Sequence, residues 1–213
     1  MILYLMRHGE TALNREGRLQ GQVDTALNAA GIEEARAAGR FVREQGLVFD
    51  RVYSSHLSRA LDTAALVCGW EKSKIQIDDR ILEMDYGPAD GACFSELDEG
   101  TTRFLMDPVH APLPGGFESL AHLEARTGSF LDDLAGAAAR EEKQGREERI
   151  LAVTHGVAIR AMLRRLDHLG AEDVWKVRID NCDLLRTRWE NGRYSPTTLV
   201  YRRAEDGNQK GQQ

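Results

Sequence analysis

The sequence predicts an α/β fold: a three-layer α/β/α sandwich with a mostly parallel mixed sheet and helices on both faces. Three observations support this prediction. Apolar runs of strand length alternate with segments of helical periodicity, polar loops follow the strand ends, and a strong hairpin signal lies near the end of the chain. The 213 residues suffice for one such domain. We therefore expect a single domain over residues 1–204 and a disordered polar tail over residues 205–213.

The first predicted strand runs from Ile2 to Met6 and ends abruptly in Arg7, His8 and Gly9. A polar, glycine-punctuated loop over residues 9–25 follows, with room for one helical turn. Loops of this length without regular structure are usually functional. The chain therefore places an arginine and a histidine where a buried strand enters a functional loop.

Two strand and helix units follow this loop. The predicted elements are a helix from Ala29 to about Gln45, a strand from Phe49 to Ser54, a helix from about Leu57 to Cys68, and a strand from Lys74 to Asp78. Asn28 is a good N-cap for the first helix, and Ser54 or Ser55 is the expected cap of the second. The order strand, helix, strand favours parallel pairing.

The second half begins with less regular segments. Residues 79–91 predict a semi-extended loop, residues 94–106 a weak helix, and the proline- and glycine-rich residues 107–117 a loop. The regular elements that follow are an amphipathic helix from Glu118 to about Glu142, a strand from Arg149 to Thr154, a helix to about Leu169, and a hairpin of Asp183 to Trp189 and Tyr194 to Arg202 around Asn191-Gly192.

The composition excludes several classes of function. The net charge of −6 does not indicate the basic surface that binding to nucleic acid or to a membrane would require. The three cysteines are widely spaced and form neither a metal-ligand pattern nor a disulfide framework. No apolar run reaches the length of a bilayer span. We expect a cytoplasmic protein without a metal or cofactor, either monomeric or a homodimer through a sheet edge or a helix face.

Polar residues that could take part in chemistry follow three of the predicted strands. Arg7 and His8 follow the first, Arg59 follows the second within one short turn, and His155 follows the strand that repeats the pattern of the first. The carboxyl ends of parallel strands meet at one edge of the sheet, where ligands bind. Arginine matches phosphate with a planar fork of donors. The topology therefore predicts a phosphate site built around His8.

Each of these residues also has an ordinary explanation when it is taken alone. His8 and His155 fit surface or core histidines, Arg59 fits a solvated residue near a helix start, and Glu83 fits a surface acid in a loop. Glu10 and Thr11 fit residues that shape the loop and cap a turn. The joint pattern favours function over these explanations, because every member lies just beyond a strand or a short turn.

The motifs resemble those of the histidine phosphatase superfamily, the phosphoglycerate mutase-like enzymes. Its opening is matched by Arg7-His8-Gly9-Glu10-Thr11, Asn14, Gly17-Arg18-Leu19-Gln20-Gly21, Asp24, Leu27 and Gly31. The later signatures are matched by Ser54-Ser55-His56-Leu57-Ser58-Arg59-Ala60, Leu82-Glu83-Met84-Asp85-Tyr86-Gly87 and Val153-Thr154-His155-Gly156-Val157-Ala158-Ile159-Arg160. These motifs run in the family's order from Leu3 to Arg160.

The resemblance implies a role for each matched residue. His8 would be the nucleophile that forms a phosphohistidine, and Glu83 would act as general acid and then as general base. Cations suit phosphoryl transfer, which depends on positioning and electrostatic stabilisation. The implied phosphate-binding residues are Arg7, Asn14, Gln20, Gly21, Arg59, His155 and Gly156. Tyr86 is a further candidate for substrate binding, which either lines the pocket entrance or simply packs. The implied partner is a small phosphorylated metabolite, and no metal is required.

The resemblance is compatible with three functions: a phosphatase, a mutase, or a binding module without catalytic activity. The glycolytic mutases of the family carry a longer insertion with extra basic residues, whereas residues 86–118 here contain only Arg103 besides His110. This difference favours a phosphatase. The turn Pro114-Gly115-Gly116-Phe117-Glu118-Ser119 inserts Phe117 into the family's pattern, and Pro88-Ala89-Asp90-Gly91 also departs from it. Phe117 is thus a candidate wall of the substrate pocket, and residues 84–87 resemble the α-ribazole phosphatase branch.

Overall fold

The computed structural model describes residues 1–142 and 144–203, so the predicted tail over residues 205–213 lies outside the described residues. The helices are α1 (Ala12–Arg15), α2 (Ala29–Glu44), α3 (Ser58–Cys68), α4 (Glu99–Met106), α5 (Leu120–Glu142), α6 (Gly156–Leu166) and α7 (Ala171–Val174). The strands are β1 (Ile2–Arg7), β2 (Arg51–Ser54), β3 (Gln76–Ile77), β4 (Arg149–Thr154), β5 (Leu184–Glu190), β6 (Arg193–Tyr194) and β7 (Thr198–Tyr201).

The sheet is mixed and mostly parallel, as predicted. Its order is β3-β2-β4-β1-β5, with β6 and β7 both paired to β5. The pairs from β3 to β1 are parallel, and β5 joins β1 antiparallel. Because β2, β4 and β1 are neighbours, their carboxyl ends lie side by side at one edge.

Two apolar cores cover the two faces of the sheet. Successive β1 side chains alternate between these cores, as the strand geometry requires. Leu3 and Leu5 belong to the core that contains residues of α5 and α6, whereas Tyr4 and Met6 belong to the core that contains residues of α2 and α3. This alternation produces the predicted three-layer sandwich with helices on both faces.

Several predicted elements are shorter than the sequence indicated. The strand expected from Lys74 keeps only Gln76–Ile77, because Lys72–Lys74 forms a 3₁₀ turn. The weak helix begins at Glu99, because the Asp98 carboxylate accepts from the Thr101 N–H and caps it there. In addition, α5 begins two residues later than Glu118, and α6 ends at Leu166, three residues before Leu169.

The closing hairpin has the predicted turn but a broken second arm. Asn191 and Gly192 adopt φ of 52° and 80°, the left-handed conformation that a type I′ turn requires. The arm expected as one strand splits into β6 and β7, because Pro196 lies between them and offers no N–H to a sheet. Within the described ranges, no helix is both long and apolar enough to cross a membrane.

Candidate active site

The carboxyl ends of three adjacent strands meet as the topology predicts. Arg7 pairs in register with Thr154 of β4, and Ser54 of β2 pairs with Val153. The residues that follow these strands are therefore neighbours. The rings of His8 and His155 lie 5.2 Å apart between centroids. The site is thus built from loops that a rigid sheet edge holds together.

His8 is held in the tautomer that a nucleophile needs. Its side chain is buried, and Nδ1 donates to the Gly9 carbonyl oxygen at 2.7 Å. The hydrogen of the neutral ring therefore lies on Nδ1, which leaves a lone pair on Nε2. The His8 N–H donates to the Thr154 carbonyl at 3.0 Å. The ring and its backbone are fixed before any substrate binds.

Burial sets the charge state of both histidines. Desolvation first, and then the charges of Arg59 and Arg7, lower the pKa of His8 well below its ordinary value of 6.5. Desolvation, Arg59, His8 and Arg7 lower the pKa of His155 in the same direction. Both imidazoles are therefore neutral at pH 7, and His8 carries a lone pair on Nε2 without having to lose a proton.

These shifts predict that acid pH weakens the fold through the two histidines. The unfolded chain takes up protons near pH 6.5, whereas the folded chain does so only at lower pH, so the free energy of unfolding falls as the pH drops below 6.5. The slope is up to about 1.4 kcal/mol per pH unit for each histidine. Urea unfolding of the wild type and of His8→Gln between pH 7.5 and 5.5 measures it.

The His8→Gln variant should lose about half of this dependence, because it keeps only one of the two buried histidines. The exposed His110, which contacts Asp107, supplies a matched control, and His110→Gln should retain the slope of the wild type. An unchanged slope in His8→Gln would contradict the assignment. In activity measurements, the acid limb of the kcat/KM profile should lie well below pH 6.5 for the same reason.

Several of the predicted site residues have buried nitrogen atoms without partners among the described residues. Arg59 is fully buried and donates to the carbonyl oxygens of Gly21 and Val23, and Arg7 donates to that of Ile179 at 2.8 Å. Within residues 1–142 and 144–203, the buried nitrogens left unpaired include Arg7 Nε, Arg59 Nε, His155 Nδ1 and Gln20 Nε2. Buried donors are normally paired. A tetrahedral anion with several acceptor oxygens is the ligand that would satisfy such a set.

Burial also lowers the pKa of the two arginines near His8. Desolvation lowers the pKa of Arg59 to about 10, and desolvation likewise lowers the pKa of Arg7. Both guanidinium groups remain charged at neutral pH. In a dry pocket their attraction for a phosphate is stronger than it would be in water.

Ser55 contacts His155 and does not cap α3, which corrects the sequence prediction. The N-cap of α3 is Leu57, without a side-chain hydrogen bond, and Asp24 accepts from the Ser58 N–H instead. Ser55 Oγ lies 2.8 Å from His155 Nε2. When Ser55 donates in this bond, the hydrogen of the neutral His155 ring lies on Nδ1. The unpaired Nδ1 is then a donor available to a phosphoryl oxygen.

Glu83 lies at the amino end of α6. Its side chain is buried, with Oε1 accepting from the Ala158 N–H at 3.0 Å and Oε2 from the Val157 N–H at 3.1 Å. The Met84 N–H also donates to Oε1. The first N–H groups of a helix have no partners within the helix and attract acidic groups. Glu83 therefore keeps one orientation, beside the helix that begins directly after His155.

A partly buried ion pair, Arg126 with Glu118, is bonded to the backbone of the Glu83 loop. Arg126 of α5 donates to the carbonyl oxygens of Arg80, Leu82 and Glu83, and it pairs with Glu118 at 2.7 Å. Sequence reasoning missed Arg126, because it lies inside a regular helix and 43 positions from Glu83. No local pattern marks such a contact. Its expected role is to fix the path of the loop.

Four of the other predicted site residues, Gly21, Gly156, Asn14 and Gln20, make contacts within the protein that limit which of their atoms can bind a ligand. Gly21 supplies no free donor, because its N–H donates to Asp90 Oδ1 and its carbonyl accepts from Arg59. Gly156 begins α6 beside Arg7, whose Nε would lie 3.6 Å from a Cβ at that position. Asn14 and Gln20 each have a tethered carbonyl oxygen.

Tyr86 and Phe117 form an aromatic wall next to the site. Tyr86 is buried, and burial followed by the nearby charge of Glu83 raises its pKa well above the ordinary value. Its ring meets Phe117 edge-on at 5.7 Å, and Phe117 meets Phe104 at the same distance. Phe117 lines two cavities of about 660 and 570 Å³. The inserted residue of the loop is therefore a cavity wall.

Comparison with known proteins agrees with this geometry. The family model for the histidine phosphatase superfamily (branch 1) matches residues 3–201. The chain is 31% identical over 204 residues to "Putative phosphoserine phosphatase 2" of Hydrogenobacter thermophilus, covering 93% of each chain. It is 32% identical over 211 residues to "Probable phosphoglycerate mutase GpmB" of Salmonella paratyphi B, covering 96% of this chain and 92% of the other.

A solved structure shares both the fold and part of the sequence. The α-ribazole phosphatase from Shigella flexneri superposes with a TM-score of 0.79 at 28% identity, covering 94% of this chain and 96% of that one. The family match over residues 3–201 reaches from β1 to β7 and includes every motif quoted above. The chain therefore belongs to the histidine phosphatase superfamily.

Proposed function

We propose that this protein hydrolyses a small-molecule phosphate monoester through a phosphohistidine at His8, without a metal ion. One observation carries the proposal. A buried neutral histidine with a free Nε2 lies among unpaired arginine nitrogens, and the first N–H groups of the neighbouring α6 hold the carboxylate of Glu83 in place. This arrangement supplies a nucleophile, a cationic pocket and an acid–base group.

In the first step, the lone pair of His8 Nε2 attacks phosphorus. A bond from nitrogen to phosphorus forms as the bond to the leaving oxygen breaks, and protonated Glu83 gives its proton to that oxygen. Arg7, Arg59 and His155 stabilise the charge that spreads over the phosphoryl oxygens. The alcohol leaves, and Glu83 is left as a carboxylate.

In the second step, water attacks the phosphohistidine. Glu83 accepts a proton from the water as the new oxygen–phosphorus bond forms, and the electron pair of the breaking nitrogen–phosphorus bond returns to His8. Inorganic phosphate is released, and the enzyme regains its starting protonation state. The reversal of the role of Glu83 requires that its carboxyl group stay in one place, which its backbone hydrogen bonds support.

Phe117 lines two cavities of about 660 and 570 Å³, and Leu82 and Asp85, which flank Glu83 in the sequence, line the smaller one. This smaller cavity is the candidate space for the leaving group. Residues of the larger cavity include Arg103, the single arginine or lysine of residues 86–118. A substrate with one phosphoryl group and few further negative charges fits this setting better than a bisphosphate does.

A phosphate-ester panel tests the proposal and assigns the substrate. Purified protein is incubated with p-nitrophenyl phosphate, O-phosphoserine, 3-phosphoglycerate and ribose 5-phosphate, and released phosphate is measured. At least one ester should be turned over without added metal and in the presence of EDTA. Failure to release phosphate from any of a broad set of esters would overturn the proposal.

Phosphoglycerate mutase activity is the second candidate, because the chain resembles a relative that carries that name. The same incubation distinguishes the two. A mutase moves label between positions of phosphoglycerate faster than it releases phosphate, whereas a phosphatase does the opposite. Acid and alkaline quenching of enzyme labelled with ³²P identifies the intermediate, since a phosphohistidine is lost in acid and survives alkali.

A further inference from the structure

The two amide side chains of the first loop share a single support, Thr11. Thr11 is fully buried and follows His8 by three positions. Its N–H donates to Asn14 Oδ1 at 3.2 Å, and its hydroxyl lies 2.9 Å from Gln20 Oε1. Both amides thus have their carbonyl ends tied to one residue.

The donors and acceptors on Thr11 fix which end of each amide side chain carries the oxygen. A backbone N–H is a donor only, so the atom of Asn14 that faces it is oxygen. The Thr11 hydroxyl accepts from the Asn14 N–H at 3.2 Å, and its own hydrogen needs an acceptor in this buried place. Among the residues that the structure describes, Gln20 Oε1 accepts that hydrogen. The carbonyl oxygen of Gln20 therefore faces Thr11.

Within residues 1–142 and 144–203, the NH₂ ends of these two amides make no hydrogen bond to the protein. Gln20 Nε2 is buried and unpaired within the described part of the chain. Asn14 Oδ1 has a second neighbour in Asn181 Nδ2 at 3.5 Å, and the same nitrogen donates to the His8 carbonyl at 2.9 Å. Two donors on Oδ1 turn Asn14 Nδ2 the other way. Each NH₂ group is therefore free to meet an anion.

We propose that Thr11 is a positioning residue for phosphoryl transfer, which holds Gln20 and Asn14 by their carbonyl oxygens so that both NH₂ groups face the phosphoryl group on His8. The proposal rests on the proposed function of the same pocket. Without the hydroxyl, Gln20 can rotate its amide and present oxygen to the phosphate. Oxygen facing a phosphate repels it, whereas NH₂ binds it.

The variants are chosen to separate this role from helix capping. Thr11→Val has nearly the same shape and keeps the backbone N–H but loses the hydroxyl, and Thr11→Ser keeps the hydroxyl. The hydroxyl also caps the four-residue α1. Removal of a cap lowers stability whatever Gln20 does. Gln20→Leu, alone and combined with Thr11→Val, completes a double-mutant cycle.

The measurement is calorimetric binding of inorganic phosphate, with kcat and KM for p-nitrophenyl phosphate alongside. Thr11→Val should weaken phosphate binding about tenfold, the scale of one hydrogen bond to a charged group. Thr11→Ser should remain within about twofold of the wild type. In the Gln20→Leu background, Thr11→Val should cost less than about threefold, because the side chain through which it acts is gone.

Each alternative result overturns the proposal. Unchanged phosphate binding in Thr11→Val removes its basis, and a full tenfold loss in both backgrounds shows a role in capping only. A wild type that binds no phosphate at millimolar concentration overturns it as well. A wild type that binds phosphate but hydrolyses no ester refutes the proposed function, while the cycle on phosphate binding still decides the role of Thr11.

Discussion

Replacing His8 with alanine should abolish phosphatase turnover, with kcat reduced by at least about 10,000-fold. The nucleophile is the one group whose bond to phosphorus defines the proposed pathway, and loss of a nucleophile elsewhere costs on the order of 10⁶ in rate. The other side chains of the pocket cannot replace it. Steady-state kinetics on the best substrate of the panel and ³²P trapping measure the effect.

The matched control for this variant is His110→Ala. His110 is exposed and contacts Asp107 at 3.0 Å, away from the strand edge that carries His8. It should keep full turnover and full labelling. His8→Ala should keep its circular dichroism spectrum, since β1 and its neighbours do not depend on the imidazole. Turnover or labelling within tenfold of wild type in His8→Ala would refute His8 as the nucleophile.

Glu83→Gln should reduce kcat by about 100- to 10,000-fold, the range for loss of a general acid and base. Glutamine keeps the shape of glutamate and can still accept a backbone hydrogen bond, but it has no proton to give. The loss should depend on the leaving group. It should be larger for a serine alkoxide, which needs a proton as it leaves, than for the weakly basic p-nitrophenolate.

Glu124→Gln provides the control for Glu83→Gln. Glu124 lies on α5 and pairs with Arg164 on the protein surface, so its replacement should leave kcat unchanged. The decisive readout is the ratio of the effects on O-phosphoserine and p-nitrophenyl phosphate, provided that both are substrates. Equal losses on both esters, with an unchanged pH profile, would mean that Glu83 acts through structure alone.

The sequence pattern was sufficient to predict the sheet and to predict that His8, Arg59 and His155 lie close together. Parallel strands with short apolar runs leave few topologies, and their carboxyl ends share an edge. The boundaries of weaker elements were less predictable. Asp98 and Pro196 each ended or interrupted an element that periodicity alone extended, because a cap and a missing N–H act locally and override propensity.

By itself, the sequence determined the fold class, the family and the set of candidate catalytic residues, since these follow from local patterns and chain order. Only the tertiary structure decided which atoms are available for chemistry. It paired Ser55 with His155, bonded Arg126 to the backbone of the Glu83 loop, and tied Gln20 to Thr11. Such contacts join distant positions through hydrogen-bond geometry, for which sequence periodicity carries no signal.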